Sequence, residues 1–205
     1  MITRVDIINH LLSITHSESY LEIGSGHHIC FKDIQCPLKH DIEPNPGPGV
    51  TPTYRMTSDE AFSILGQNKY GGIFIDGLHH CEQVAKDVTN SIRHLKPNGF
   101  IIIHDCLPEH EIEQLRDFSG GSWTGDVWKF QAWMVKNFDN AWTITENWGC
   151  GIILGCAYFK PPSLQELSVF NWGMFERNWP WMLRTVNWEV FKKIIPIHLE
   201  DRRLL

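Results

Sequence analysis

The sequence predicts an α/β protein, a Rossmann-like, doubly wound and mostly parallel sheet closed by a C-terminal antiparallel hairpin. Three observations carry that expectation. Short, continuously apolar runs alternate with segments of helical periodicity between residues 20 and 103. Such runs read as strands buried on both faces, which is the condition of a parallel sheet covered by helices. The runs end on polar groups, Gly24-Ser25-Gly26, Glu43, Asp76 and His104-Asp105, and the carboxyl ends of parallel strands are where such sheets bind ligands.

Each element has its own local reason. A first helix is expected from Thr3, where Thr3 and Asp6 stand at capping-box spacing and Val5, Ile8, Leu11 and Leu12 recur at helical intervals. Tyr20–Ile23 reads as a short strand stopped by the glycine pair, and a second strand ends at Asp41-Ile42-Glu43-Pro44, since proline cannot continue a central ladder. Asn45-Pro46-Gly47-Pro48-Gly49 is a loop by composition. Residues 58–66 suit a helix with Ser58 or Asp59 as N-cap and Ala61, Phe62 and Leu65 inward. Ile73-Phe74-Ile75-Asp76 is a buried-type strand. Val84, Val88, Ile92 and Leu95 form a helical stripe from Cys81, which Pro97-Asn98-Gly99 is expected to stop. Phe100–Ile103 is the next strand. Gly125-Asp126 suits the start of a helix running to Asn137, with Val127, Phe130 and Met134 inward, and Trp142–Thr145 with Gly151–Tyr158 suit a hairpin.

Composition narrows the function classes. At 205 residues the chain is expected to form one domain over 1–160, with an extension over 161–205. Apolar residues are 42% and charged residues 20%, ordinary for a globular protein. A net charge of -6 argues against a nucleic-acid backbone as partner. Residues 1–15 lack the continuous apolar core of a signal peptide, and the longest apolar run, 151–159, is far short of the ~20 residues that span a bilayer. The six cysteines (30, 36, 81, 106, 150, 156) show no Cys-x-x-Cys pair. They read as free, buried thiols of a cytoplasmic protein. Cys150 and Cys156, with no second ligand pair, read as packing residues, and Glu82, Lys86 and Asp87 as the solvated face of their helix.

Eight of the eleven histidines lie between residues 27 and 110, whereas all nine tryptophans lie after residue 122. The chemistry is therefore sought in the first half. Glu22-x-Gly24-x-Gly26, at the end of a strand, lets a ligand approach the backbone closely. Glu43, nineteen residues beyond Gly24, suits the two hydroxyls of a ribose. NAD and S-adenosylmethionine (SAM) share that ribose. A dinucleotide fingerprint wants a third glycine near position 29, where Ile29 stands, and this tips the reading towards SAM. Asp76 and Asp105, on two adjacent strand ends, suit a hard divalent cation such as Mg²⁺. His79 suits a general base, because an ordinary imidazole titrates near neutral pH.

Several motifs carry a resemblance. Tyr20-Leu-Glu-Ile-Gly-Ser-Gly26, Met56-Thr-Ser-Asp-Glu60, Phe74-Ile-Asp-Gly-Leu-His-His-Cys-Glu-Gln83, Leu95-Lys-Pro-Asn-Gly99 and Ile103-His-Asp-Cys-Leu-Pro108 resemble class I SAM-dependent methyltransferases. The nearest group is similar to the small-molecule O-methyltransferases that include macrolide-sugar methylating enzymes and their uncharacterised relatives, which also share a motif like Gly125-Asp-Val-Trp-Lys129. The resemblance spans about residues 18–158. It implies that Glu22, Gly24, Ser25 and Gly26 form the SAM loop, that Glu43 holds the ribose, that Ser58 and Asp59 line the adenine end, and that Asp76 borders the cofactor. It further implies metal ligation by Asp76 and Asp105, with His79 as base. Metal-dependent members carry an acidic residue before the second aspartate, whereas this chain has His104, a ligand that suits Mn²⁺, Fe²⁺ or Zn²⁺ better than Mg²⁺.

The expected activity is methyl transfer from SAM to a hydroxyl of a small molecule or sugar, with a divalent metal (Mg or Mn) assisting. Two rivals remain at the level of sequence. One is an NAD-linked oxidoreductase on the same sheet, which lacks a Tyr-x-x-x-Lys pair. The other is a non-catalytic SAM-fold module that binds a partner through its tail. Trp123, Trp128, Trp133 and Trp148 are expected to pack around the core. Trp172, Trp179, Trp181 and Trp188, in the tail with Lys192-Lys193 and Arg202-Arg203, suit a lid or a homo-oligomer contact better than a membrane anchor.

Overall fold

The computed structural model describes residues 1–117, 120–155 and 158–203, with side chains at 197, 198 and 200–203 left aside. Helix α1 (Arg4–Ile14) starts at the Thr3–Asp6 capping box, in which each residue bonds the other's backbone. Such a cap contributes ~1 kcal/mol. Ile7, Ile8, Leu11 and Leu12 are its buried face, so Ile7 takes the place expected of Val5. Strands β1 (Ser19–Ile23), β2 (Leu38–Ile42), β3 (Tyr70–Ile75) and β4 (Leu95–Ile103) are mutually parallel. Strand β5 (Ala141–Ile144) pairs antiparallel with β6 (Cys150–Leu154), the expected hairpin, and β6 runs antiparallel to β4. With a short last strand, β7 (Thr185–Val186), the sheet order is β2-β1-β3-β4-β6-β5-β7.

Alternation along each strand divides the core. Leu21, Ile23, Ile73, Ile75, Ile101 and Ile103 face α2 (Ser58–Ile64), α3 (Cys81–Arg93) and α4 (Val127–Asn137). Tyr20, Phe74, Phe100 and Ile102 face α1 and α7 (Trp188–Arg203) on the other side. Between them the two layers bury both faces of β1, β3, β5, β6 and the second half of β4, which is why the central strands are apolar with little alternation, whereas the edge strand β2 is buried only at Asp41 and Ile42.

Two boundaries differ from expectation. The N-cap of α2 is Thr57, which forms a capping box with Glu60, leaving Ser58 and Asp59 as the first helical residues. Helix α3 ends at Arg93, because Leu95 already pairs with Tyr70 in the sheet. Pro97-Asn98-Gly99 therefore lies inside β4, where the register to β3 shifts, rather than after a helix. Asn98 takes a left-handed φ of 62°, and a Cβ on Gly99 would fall 2.8 Å from the Gly71 carbonyl oxygen. The turn residues build an irregularity that lets two backbones touch.

Residues 161–203 lie against this core. The short α5 (Leu164–Leu167) meets α3 and α4, and α6 (Trp172–Met182) packs on α4, where Phe175 and Trp128 rings are 4.8 Å apart. Strand β7 (Thr185–Val186) extends the sheet beside β5. Trp188, Phe191 and Ile195 of α7 join the layer under α1. Cys30, Cys36, Cys81, Cys106 and Cys150 are free thiols; Cys156 lies outside the described residues. Among the described residues no helix is long and apolar enough to cross a membrane.

Candidate active site

Strand order reverses between β1 and β3, since β2 lies on one side of β1 and the chain then returns to its other side. A crevice opens at the carboxyl ends of the two strands. Gly24 forms its floor. Its φ is +84°, and a Cβ there would sit 2.1 Å from the Asp76 carbonyl oxygen, so the loop after β1 closes on the end of β3 only with glycine. Glu43 ties the next loop to it, one carboxylate oxygen accepting from the Gly26 N–H and the other from the Asn45 N–H, both at 2.8 Å.

A cavity of about 400 Å³ lies in this crevice. Of the residues expected at the cofactor, Gly24, Glu43, Ser58, Asp59 and Asp76 line it. Glu22, Ser25 and Gly26 build the loop without lining it. Glu22 is buried below, accepting from the Tyr20 hydroxyl at 2.6 Å. Burial pushes its carboxyl up to about 7, against the lowering effect of that hydrogen bond. Ser25 turns its hydroxyl onto Asp41 at 2.6 Å.

Asp87 also lines the cavity, contrary to its reading as a solvated residue. It is 1% exposed, and burial pushes its carboxyl up to about 6, with Ser58 and Gln83 bonds opposing. The Gln83 amide nitrogen reaches Asp87 at 3.1 Å, Asp59 at 3.3 Å and Ser58 at 3.4 Å, knitting α3 to α2 along one wall. On the helix, Asp87 falls close in angle to the buried Val84; its charge, not its angle, suggests solvent.

Asp76 lines a second cavity as well, together with Arg4, His79, His104, Asp105, Trp123 and Trp148. Two imidazoles and two carboxylates converge here. His79 Nε2 lies 3.4 Å from Asp76 Oδ1 and 3.2 Å from Asp105 Oδ2. His104 Nδ1 lies 3.4 Å and 3.1 Å from the same two oxygens. Arg4 reaches in from α1, its guanidinium 3.0 Å from the other Asp76 oxygen. No local pattern in the sequence marks Arg4, which is brought 72 residues across the chain by the packing of α1.

Burial alone would raise Asp76, but His104, His79 and Arg4 hold its carboxyl below the ordinary range. Burial would likewise lower His104; the two carboxylates outweigh it and lift the imidazole to about 10. His79 is raised for the same reason, desolvation being overcome by Asp76 and Asp105. Arg4 and the His104 imidazole are the positive partners that offset the two carboxylates.

The outer ring nitrogens are fixed. His79 Nδ1 donates to the Trp123 carbonyl at 3.1 Å, and the two rings stack with centroids 4.8 Å apart, so Nε2 is the atom turned inward. His104 Nε2 donates to Asn147 Oδ1 at 3.2 Å, an oxygen that also accepts from the Arg4 N–H at 3.1 Å. Asn147, Trp148 and Gly149 have φ values of 54°, 57° and 81°. Left-handed backbone costs ~1–2 kcal/mol at a non-glycine residue. The turn is held by bonds from Leu107 N–H to the Trp148 carbonyl and from Cys106 N–H to the Gly149 carbonyl. Two of the four tryptophans expected in the core, Trp123 and Trp148, thus stand at the site, while Trp128 is buried as expected.

A further ligand-like set, Cys81, Glu82 and Asp126, is filled from within. Asp126 accepts from the Cys81 N–H at the start of α3 and from Arg116, which also pairs with Glu82. Glu82 is thus an ion-pair partner, held down to about 2, with Arg116 outweighing its partial burial.

Comparison with known proteins agrees with this geometry. Residues 13–106 match a family described as a methyltransferase domain. No curated protein is significantly similar in sequence. Among solved structures, one assigned as a caffeoyl-CoA O-methyltransferase from Staphylococcus aureus is similar, with 18% identity, TM-score 0.58, and coverage of 76% of this chain and 85% of that one. One assigned as an O-methyltransferase from Klebsiella pneumoniae has 15% identity, TM-score 0.53, and coverage of 75% and 80%. A Podospora anserina methyltransferase bound to S-adenosylhomocysteine (SAH) has 14% identity, TM-score 0.53, and coverage of 77% and 80%. Residues 13–106 thus resemble a methyltransferase domain, and the fold is the one shared by these methyltransferase structures.

Proposed function

We propose that the chain transfers the methyl group of SAM to a hydroxyl oxygen of a small-molecule acceptor, with His79 as base. One observation carries the reading: Asp76 lines both the cofactor cavity and the imidazole–carboxylate cavity. A cofactor in the first and an acceptor in the second meet at one residue. SAM supplies a methyl group already activated on a sulfonium, so an acceptor oxygen forms the new O–CH₃ bond as the C–S bond breaks and SAH leaves.

The protein's work is then placement and proton removal. Glu43 stands at the cofactor cavity to accept from ribose hydroxyls, and Ser58, Asp59 and Asp87 line its far wall. His79 Nε2, fixed inward by the Trp123 carbonyl, takes the acceptor's proton. Asp76 and Asp105 stabilise the imidazolium that results.

The residues fit a divalent cation. Asp76, His79 and Asp105 offer ligand atoms within 4.8 Å of one another, and His104 Nδ1 stands beside both carboxylates. The bond from His104 Nε2–H to Asn147 leaves Nδ1 as the coordinating atom, which is how outer partners orient metal-binding histidines. Asp76, His104 and Asp105 would hold the ion, leaving His79 as base, and mixed oxygen and nitrogen ligands suit Mn²⁺, Fe²⁺ or Zn²⁺. Such an ion would acidify a hydroxyl bound to it.

The test is transfer of isotopically labelled methyl from SAM to a panel of hydroxylated acceptors. Label is expected in a methyl group bonded to an acceptor oxygen for the native chain, at a rate greatly reduced for His79→Gln. Full activity of His79→Gln from pH 6 to 9 would refute the assignment of the base.

A further inference from the structure

A third cavity, of about 680 Å³, opens beside the imidazole–carboxylate cluster. Trp148 is common to the linings of both, and Asn147, also in the lining, is bonded to His104. Its far wall is α6, which presents Trp172, Phe175 and Trp179. Phe175 is backed by Trp128 and stacks on Trp172 at 5.1 Å, so this wall is held in place.

Trp148 is a bulky residue in left-handed backbone, clamped there by two bonds from the segment after β4, and it is 49% exposed. Core packing does not explain an exposed side chain held in a costly conformation. A surface kept for a ligand does, since such outliers persist where the surrounding structure enforces them for function.

The charge of the lining selects the ligand. Its charged side chains are two carboxylates, Glu109 and Glu176, both exposed and neither in an ion pair among the described residues; they outnumber the one amino group that Met1 brings to the lining. Carboxylates beside indole faces attract a cation twice, through the charge and through the ring quadrupole. An anionic acceptor, or one carried on a polyphosphate handle, meets like charge in a chain of net charge -6.

We propose that this cavity binds the body of the methyl acceptor, and that the acceptor carries a protonated amine beside a flat apolar face. The inference rests on the methyltransferase reading in one respect, that the acceptor enters next to His79 and His104.

Three probes of one shape test it on the full chain: phenethylammonium, 2-phenylethanol and 3-phenylpropionate, titrated calorimetrically at pH 7.5 with and without saturating SAH. The cation is expected to bind about tenfold or more tighter than the anion, with the alcohol between them. Glu109→Gln with Glu176→Gln, both at exposed sites, should bring cation and anion within about threefold of each other. Trp148→Ala should weaken all three. Equal binding of anion and cation, survival of the preference in the double variant, no effect of Trp148→Ala, or no binding of any probe would each overturn the proposal. SAH titrated into the same samples separates the two readings. Failure to bind SAH refutes the cofactor assignment, whereas SAH binding without a cation preference refutes this inference alone.

Discussion

The two cavities that share Asp76 are built by different forces. On the Gly24–Glu43 side, shape decides: Gly24 lets two backbones touch, and carboxylate bonds from Glu43 hold the loops around the space. On the other side, charge decides: two carboxylates, two imidazoles and Arg4 balance one another within 3.0–3.4 Å. The first cavity should be intolerant of added atoms at Gly24, and the second intolerant of altered protonation.

The largest effect is expected in the charged cavity. Removing a positioned base costs about 10²–10⁴-fold in rate, so His79→Gln should lose that much kcat while keeping its affinity for SAH. The native pH profile sharpens the point. Because the carboxylates raise His79 above its ordinary 6.5, its base form is lost on acidification at a pH above 6.5, and kcat/KM should fall along a limb that starts there. A limb at lower pH would mean that another group removes the proton.

Next comes Gly24→Ala in the shaped cavity. A Cβ 2.1 Å from a backbone oxygen forces the loop away. An ångström of misplacement is worth about 100-fold, the loss expected in SAH affinity by calorimetry. The chain should also lose about 2–4 kcal/mol in urea unfolding.

Asp87 brings charge into the shaped cavity and tests whether the contrast is complete. Its raised carboxyl means that the folded state holds the proton more tightly than the unfolded chain. Stability from this group is therefore present at low pH and declines as pH rises from the ordinary 3.8 through about 6. Asp87→Asn should remove that decline and make the chain more stable at pH 8 by up to about 3 kcal/mol, read by urea unfolding at pH 4 and pH 8. Equal effects at the two values would place its titration elsewhere.

The smallest effect is expected for Gly26→Ala. Gly26 has φ +51° but open space around its missing Cβ. About 1 kcal/mol of backbone strain should be the whole cost, with SAH affinity kept. A loss matching Gly24→Ala would show that the loop as a unit, not the single close approach, shapes the cavity.

The same contrast explains what is legible in the sequence. Strand ends bearing Gly24, Glu43, Asp76 and His104-Asp105 can be placed, because a parallel sheet gathers its strand ends on one edge and each strand is a local apolar run. Partners supplied by packing cannot. Arg4 enters from a helix whose sequence shows only amphipathicity, and Asn147-Trp148 become part of the site through a left-handed turn that Asn147-Trp148-Gly149 hints at only weakly. Asp87 reads as solvated because its charge outweighs its helical angle, although Ser91, one turn on, is buried on the same side. The tail is legible only in part. Its tryptophans suit a lid or a homo-oligomer contact, and in the fold Trp188 and Phe191 lie in the core under α1 while α6 forms a wall beside the site.

The central claim, that the Gly24–Asp76 cavity holds the adenosyl cofactor, is tested most directly by thermal unfolding of the full chain with SAH or NAD, each with and without Mn²⁺. A ligand at a hundred times its Kd adds about 2.7 kcal/mol, which for a chain of this size moves the midpoint by roughly 5–11 °C. The account predicts a shift of that size with SAH, none with NAD, and a further rise with Mn²⁺ through Asp76, His104 and Asp105. A shift with NAD alone, or none with either ligand, would contradict it.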